Sequence, residues 1–168
     1  MADTQPRYRI TVTHGSTPLG SIDLELMPDV APKHVANFES LAAEGFYNGT
    51  AFHRVIPGFM IQGGDPNSKS KPRESWGTGD PSLTRVPAEF NSTPHARGIL
   101  SAARTSDPNS ATSQFFICVE DSPWLDGQYT VYGKVISGMD VADAIVAAPR
   151  DGRDNPLEKI EMSIEKIA

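Results

Sequence analysis

FHRVIPGFMIQGGDP, residues Phe52 to Pro66, sets one arginine among phenylalanine, valine, isoleucine and methionine, bends at Pro57-Gly58, and closes on a glutamine and a Gly-Gly step. Side chains of a strand alternate between its faces, so after the bend Met60 and Gln62 point one way and Ile61 the other. Arg54 keeps its charge in any environment, and burying it without a partner is costly. It is therefore either a surface charge on an edge strand or a charge placed to meet something.

The same parity recurs in SQFFICV: Gln114 and Phe116 share one face, while Phe115, Ile117 and Val119 share the other. Two strands thus each carry a glutamine two residues from a bulky apolar side chain. WLDGQY adds Trp124 and Leu125 ahead of an Asp-Gly turn. Each feature alone reads equally well as structure, because buried glutamines often tie backbone groups together and apolar pairs at turns often plug a core. Taken together, Arg54, Met60, Gln62, Gln114, Phe116, Trp124 and Leu125 form an apolar shelf with a few fixed donors. That composition suits an extended peptide presenting an apolar residue.

Alternation also governs both ends of the chain. Tyr8, Ile10 and Val12 share a face in YRITVTH, as do Ile22, Leu24 and Leu26 in GSIDLELM, and Ile160, Met162 and Ile164 in KIEMSIEKI. The segments Tyr8–Thr13 and Gly20–Leu26, joined through HGSTPL, read as a hairpin. Two stretches have helical spacing instead. PDVAPKHVANFESLAAEG carries Val35, Phe38 and Leu41, with Pro32 near its start and Gly45 as its stop; SGMDVADAIVAAP carries Val141 and Ile145 and ends before Pro149. Many strands with two short helices mean an antiparallel barrel or sandwich, since βαβ crossovers would need more helices. From Pro66 to Pro94 no period holds, and a loop of that length is usually functional or mobile.

The bulk properties narrow the function. The 168 residues suit a single domain over 1–168. A 38% hydrophobic content is too high for disorder, and no apolar run reaches the roughly 18 residues of a membrane span. The net charge of −6 argues against nucleic acid as a partner, and Lys69, Lys71 and Arg73 read as a solvated loop rather than a phosphate patch. MADTQPRYRI lacks the basic and apolar regions of a signal peptide, and the lone Cys118 admits no internal disulfide; both favour the cytoplasm. His14, His34, His53 and His95 are scattered without ligand spacing, so neither metal nor cofactor is expected. The Gly77-Thr78-Gly79 run opens no helix and follows no strand, and no Gly-x-Ser-x-Gly elbow is present. Cys118, inside an apolar strand, reads as an inert small hydrophobe.

FHRVIPGFMIQGGDP, GILSAARTSDPNSATSQFFICV and WLDGQYTVYGKV, in that order and spacing, resemble the cyclophilins, and the likeness extends through NFESLAAEGFYNGTAFHRVI to the closing strand. The resemblance implies a mainly β fold, a closed eight-stranded antiparallel barrel capped by two short α-helices, and peptidyl-prolyl cis/trans isomerase activity assisting protein folding. Arg54 would then be catalytic. Phe59, Met60, Phe116 and Leu125 would grip the proline ring, Gln62 would hold Arg54 and the peptide, and Gln114 with the backbone near Ala103 and Arg104 would fix flanking residues. Trp124 implies cyclosporin binding. Three places depart from the best-known members. Tyr129 stands where many carry histidine. Arg104 stands where asparagine is common and is followed by an extra residue around Asp107. The loop from Pro66 to Trp76 is longer. Proline-containing peptides and flexible protein segments are the expected partners, and a monomer is the default. A peptide-binding chaperone or scaffold with incidental catalysis, or a lipocalin-like carrier, are the competing readings.

Overall fold

The computed structural model describes residues 5–168, so the first four positions of the stretch read above for a signal peptide lie outside the described residues. Strand β1 (Arg7–His14) pairs antiparallel with β2 (Thr17–Leu26) on one side and β8 (Ile160–Lys166) on the other. The register sets Ile10 opposite both Ile22 and Ile164, and Val12 opposite Met162. Every apolar residue of the three alternating patterns therefore lands on the same inner face, where Ile10, Ile22, Leu24 and Ile160 are fully buried. The hairpin is tighter than the sequence implied: both strands run on through the expected connection, leaving only Gly15-Ser16 between them. Gly15, at φ +60, supplies the left-handed residue that such a short turn favours.

The remaining strands are β3 (Phe52–Ile56), β4 (Met60–Gly63), β5 (Ile99–Ala102), β6 (Phe115–Cys118) and β7 (Val131–Ser137). They order as β3-β4-β6-β5-β7-β2-β1-β8 in one antiparallel sheet. Its two edges meet. Ala51 bridges Glu161, Gly49 N–H donates to the Met162 carbonyl at 3.0 Å, and Met162 N–H donates to the Thr50 carbonyl at 2.9 Å. The result is a nearly closed barrel. Its interior is packed with side chains, including Leu24, Phe38, Phe52, Leu100, Phe115 and Ile117, which contradicts the lipocalin-like carrier reading.

Helix α1 (Pro32–Ala43) starts with proline in its first turn, buries Val35 and Phe38, and covers one end of the barrel beside β7 and β8. It ends as its sequence predicts: Gly45 takes φ +72, its N–H donates to the Ala42 carbonyl, and Phe46 N–H reaches back to the Leu41 carbonyl. Helix α2 (Met139–Val146) turns Val141, Ala142 and Ile145 inward against β2. Its entry depends on Gly138, at φ +97, whose missing Cβ would lie 2.9 Å from the Ile22 Cα and closer still to the Ser21 carbonyl.

Backbone, not a flexible side chain, blocks that site. Gly138→Ala therefore combines left-handed strain with overpacking and should lower unfolding free energy by about 3 kcal/mol. Urea denaturation checks this; a loss below about 0.5 kcal/mol, the ordinary range for surface changes, would show the α2–β2 contact to be plastic.

Candidate active site

The alternation that fills the barrel also builds a surface outside it. Ile61, Phe115 and Ile117 point into the core, whereas Met60, Phe116 and Cys118 point outward into a second apolar cluster with Ala103 and Leu125. The β4–β6 register places Met60 opposite Cys118 and Gln62 opposite Phe116. Ile56, Phe59 and Tyr129 pack around this cluster half-buried. Tyr129 meets the Phe116 ring edge-on, with centroids 5.6 Å apart. Leu125, in a 3₁₀ turn spanning Pro123–Leu125, is buried, while its neighbour Trp124 stands 61% exposed beside Phe59. The expected shelf is thus continuous, with Trp124 at its open rim.

Arg54 lies across the β3–β4 ladder from Gln62, exposed, and among the described residues its guanidinium has neither a hydrogen bond nor an ion pair. One expected contact is absent from this structure. Gln62 does not hold Arg54; its Nε2 donates to Gln114 Oε1 at 3.1 Å, and Gln114 Nε2 donates onward to the Gly77 carbonyl at 3.2 Å. Two amides on adjacent strands satisfy each other more readily than either reaches a solvated guanidinium. The Ala103 N–H is likewise committed, donating to the Gln114 carbonyl at 3.0 Å. The departures from the family pattern interlock. Arg104 stacks 4.4 Å from the Tyr129 ring centre and donates to the carbonyls of Gln128 and Thr105. Beside it, Asp107 caps its own turn by accepting from Asn109 N–H and pairs with Arg85 at 3.3 Å.

Sequence reasoning missed the polar supports beneath this surface. Fully buried Asp65 accepts hydrogen bonds from the N–H groups of Gly77 (2.6 Å) and Gly79 (3.1 Å) and from Asn67. The Gly77-Thr78-Gly79 run, set aside above as a phosphate site, instead directs its backbone N–H groups at an internal carboxylate. Behind Phe116, the His95 ring stacks 6.1 Å away, its Nδ1 hydrogen-bonded to Asp126 at 3.0 Å and its Nε2 to Ser101 at 2.9 Å. These are the residue types of a nucleophilic triad, but Ser101 is completely buried and also bonded to the Thr130 carbonyl, so no substrate reaches it. The set is a strut for the Phe116 ring. Cys118 is inert, its thiol pushed up to about 12 by burial. Among the described residues, no three His, Cys, Asp or Glu side chains gather as a metal site.

An apolar shelf, an unpaired cation at its edge and a glutamine pair beside it make a surface that can grip a ring and donate to an amide. Comparisons with known proteins agree with that chemistry. The family described as cyclophilin type peptidyl-prolyl cis-trans isomerase/CLD matches residues 9–167. A probable peptidyl-prolyl cis-trans isomerase of Brucella suis is 50% identical, covering 87% of this chain and 78% of its own. One from Schizosaccharomyces pombe is 42% identical, covering 87% and 92%. The crystal structure of a Cryptosporidium parvum cyclophilin superposes with a TM-score of 0.86 at 32% identity over 98% of both chains. A second structure of that protein, in the presence of the dipeptide Ala-Pro, gives 0.83 at 34% identity over 96% of this chain and 99% of that one. The chain belongs to the cyclophilin family. It is an enzyme, a peptidyl-prolyl cis-trans isomerase.

One group next to Arg54 makes the fold sensitive to acid. Burial pushes the His53 imidazole down to about 4, Arg54 pushes the same way, and Asp65 and the Ala51 carbonyl only partly oppose them. The folded protein refuses a proton that the unfolded chain accepts, so His53 contributes stability that is complete above about pH 6.5 and is lost toward pH 4. Between pH 7 and pH 5 this amounts to about 2 kcal/mol. Burial lowers His34 and His95 as well, so they add in the same direction. Urea midpoints should fall across this range in the wild type and fall less in His53→Gln; equal slopes would remove His53 as a cause.

Proposed function

We propose that Arg54 is the catalytic residue, donating to the substrate amide as it twists, and that the shelf around Phe116 holds the proline. Rotation about an X-Pro bond breaks no σ bond. Its barrier of about 18–20 kcal/mol comes from amide resonance, and the two planar isomers differ by only about 0.5–1 kcal/mol. The enzyme need only bind the twisted amide better than either planar form. On twisting, the proline nitrogen regains its lone pair and becomes a stronger acceptor. The observation that carries this reading is the placement of an unpaired guanidinium at the edge of a buried apolar shelf, where a donor has no competing internal partner.

A thousandfold acceleration requires about 4 kcal/mol, while one charged hydrogen bond gives about 1.5–3 kcal/mol. Phe59, Met60, Phe116 and Leu125 make up the difference by excluding water and gripping the ring, which strengthens the donor. Gln62 and Gln114, already locked to each other, present their remaining donors and acceptors to the backbone of the substrate. With the Ala103 N–H engaged internally, its carbonyl is the group left to bind a flanking residue, while Tyr129 and Arg104 line the adjacent recess. Trp124, exposed at the rim, would contact a cyclosporin-type ligand, a reading its exposure supports. The reading is completed by a single domain over residues 1–168 acting as a monomer in the cytoplasm on proline-containing, flexible segments of folding chains. The lone buried Cys118 suits a reducing compartment.

The isomerisation rate of a short X-Pro peptide tests this reading. Wild-type protein should accelerate it strongly, cyclosporin should inhibit the acceleration, and Arg54→Ala should retain the fold while kcat/KM drops about a hundredfold, equivalent to about 2.7 kcal/mol. A folded Arg54→Ala protein with wild-type kcat/KM would remove the arginine from the mechanism.

A further inference from the structure

Beside the shelf, beyond Arg54 and Gln62, lies a second recess of about 610 Å³ between β3, the 73–78 stretch and the 151–155 loop. It gathers the groups that the rest of the molecule leaves without partners. Of the nine arginines, Arg7, Arg9, Arg73, Arg85, Arg97 and Arg150 pair with carboxylates, and Arg104 holds carbonyls. Among the described residues, only the guanidiniums of Arg54 and Arg153 are free, and both line this recess. So do His53 and Asn155, whose Nδ1 and Oδ1 are buried beneath the surface without a hydrogen-bond partner. Their residues are only 6% and 7% exposed.

The walls are held in place. Val55 N–H donates to the Asp154 carbonyl at 2.8 Å, fixing the 151–155 loop to β3. Trp76 donates from its indole N–H to the Lys71 carbonyl at 2.8 Å, with Arg73 over its ring at 5.3 Å. The carboxylates of the recess are Glu74 and Asp151. Asp151 is occupied by Arg73 and by the backbone N–H groups of Arg153 and Asn155, and Glu74 is exposed at the rim. Three guanidiniums and two carboxylates line the recess; the buried Asp65 behind His53 is engaged by the Gly77 and Gly79 N–H groups, so Arg153, like Arg54, keeps no carboxylate partner. A carboxylate in the recess would accept from the free Arg153 guanidinium, with Arg54 bordering the same space. The acidic side chain of a peptide supplies that carboxylate. Arg54 borders the recess as well as the shelf, and consecutive Cα atoms are about 3.8 Å apart, so a residue one or two positions from the proline spans the two.

We propose that this recess receives an aspartate or glutamate one or two residues from the substrate proline, making the enzyme selective for acidic flanking sequence. The inference rests on Arg54 being the reacting group. It is tested with matched peptides carrying Glu or Gln at each of the two positions before and after proline, measuring both kcat/KM and Kd by NMR. At one position Glu should be favoured about five- to tenfold, as expected for a charged pair at a partly exposed site. Arg153→Gln should reduce that preference and Arg153→Glu should abolish it, both with unchanged values for the Gln peptides. Equal values for Glu and Gln at every position, or a preference that survives Arg153→Glu in a folded protein, would overturn the proposal. Absence of any acceleration would instead sink the isomerase reading, while the Kd ratios still judge the recess.

Discussion

Strand alternation in β4 and β6 is the constraint from which the remaining structure follows. With Ile61 opposite Ile117 and Gln62 opposite Phe116, each strand contributes one set of side chains to the barrel core and the other to the outer apolar shelf. A one-residue slip would exchange the sets, burying Gln62 and Gln114 in the core and exposing Ile61, Phe115 and Ile117 to solvent. Stability and function are therefore fixed by the same register: the core that holds β4 against β6 also positions Met60 and Phe116 with the precision of packed side chains.

Loops complete the site, and they are fixed by polar anchors instead of by packing. Asp65 draws the Gly77–Gly79 segment over the site through backbone N–H groups, which in turn sets the Gly77 carbonyl where Gln114 finds it. On the far side, the His95–Asp126 pair holds the 3₁₀ turn carrying Leu125 against the ring of Phe116. Because a buried carboxylate or imidazole left without partners is costly, each anchor enforces its loop geometry. Arg54 is the exception, left without an internal partner at the edge of the shelf.

The sequence made the strands legible wherever alternation extended over several residues, as in Tyr8–Val12 and Ile160–Ile164, and made α1 legible through Pro32 and Gly45. It also placed the shelf, because parity alone assigns Met60, Gln62, Gln114 and Phe116 to one side. Pairings between distant polar groups were not legible. Arg54 and Gln114 both suit Gln62 by residue type, and only the folded arrangement shows that its Nε2 donates to Gln114. The Gly77-Thr78-Gly79 run opens no helix and so reads as no anion site, and nothing local reveals that its N–H groups hold Asp65. Ser101, His95 and Asp126 carried no local signature, because their association depends on how β5 and two loops converge. The hairpin turn was placed too wide because Thr17 and Pro18 look like turn residues, yet the β1 ladder is long enough to keep them in the strand.

The central claim is that Arg54 acts on the twisted amide and not on the planar ground state. Two-dimensional exchange NMR of an X-Pro peptide at saturating protein separates the two, since it reads interconversion on the enzyme independently of affinity. For Arg54→Gln the account predicts a bound-state exchange rate reduced about a hundredfold with Kd changed less than about threefold, the signature of an interaction made only in the transition state. A Kd weakened in proportion to activity, with bound-state exchange unchanged, would make the arginine a substrate-binding residue and contradict the mechanism.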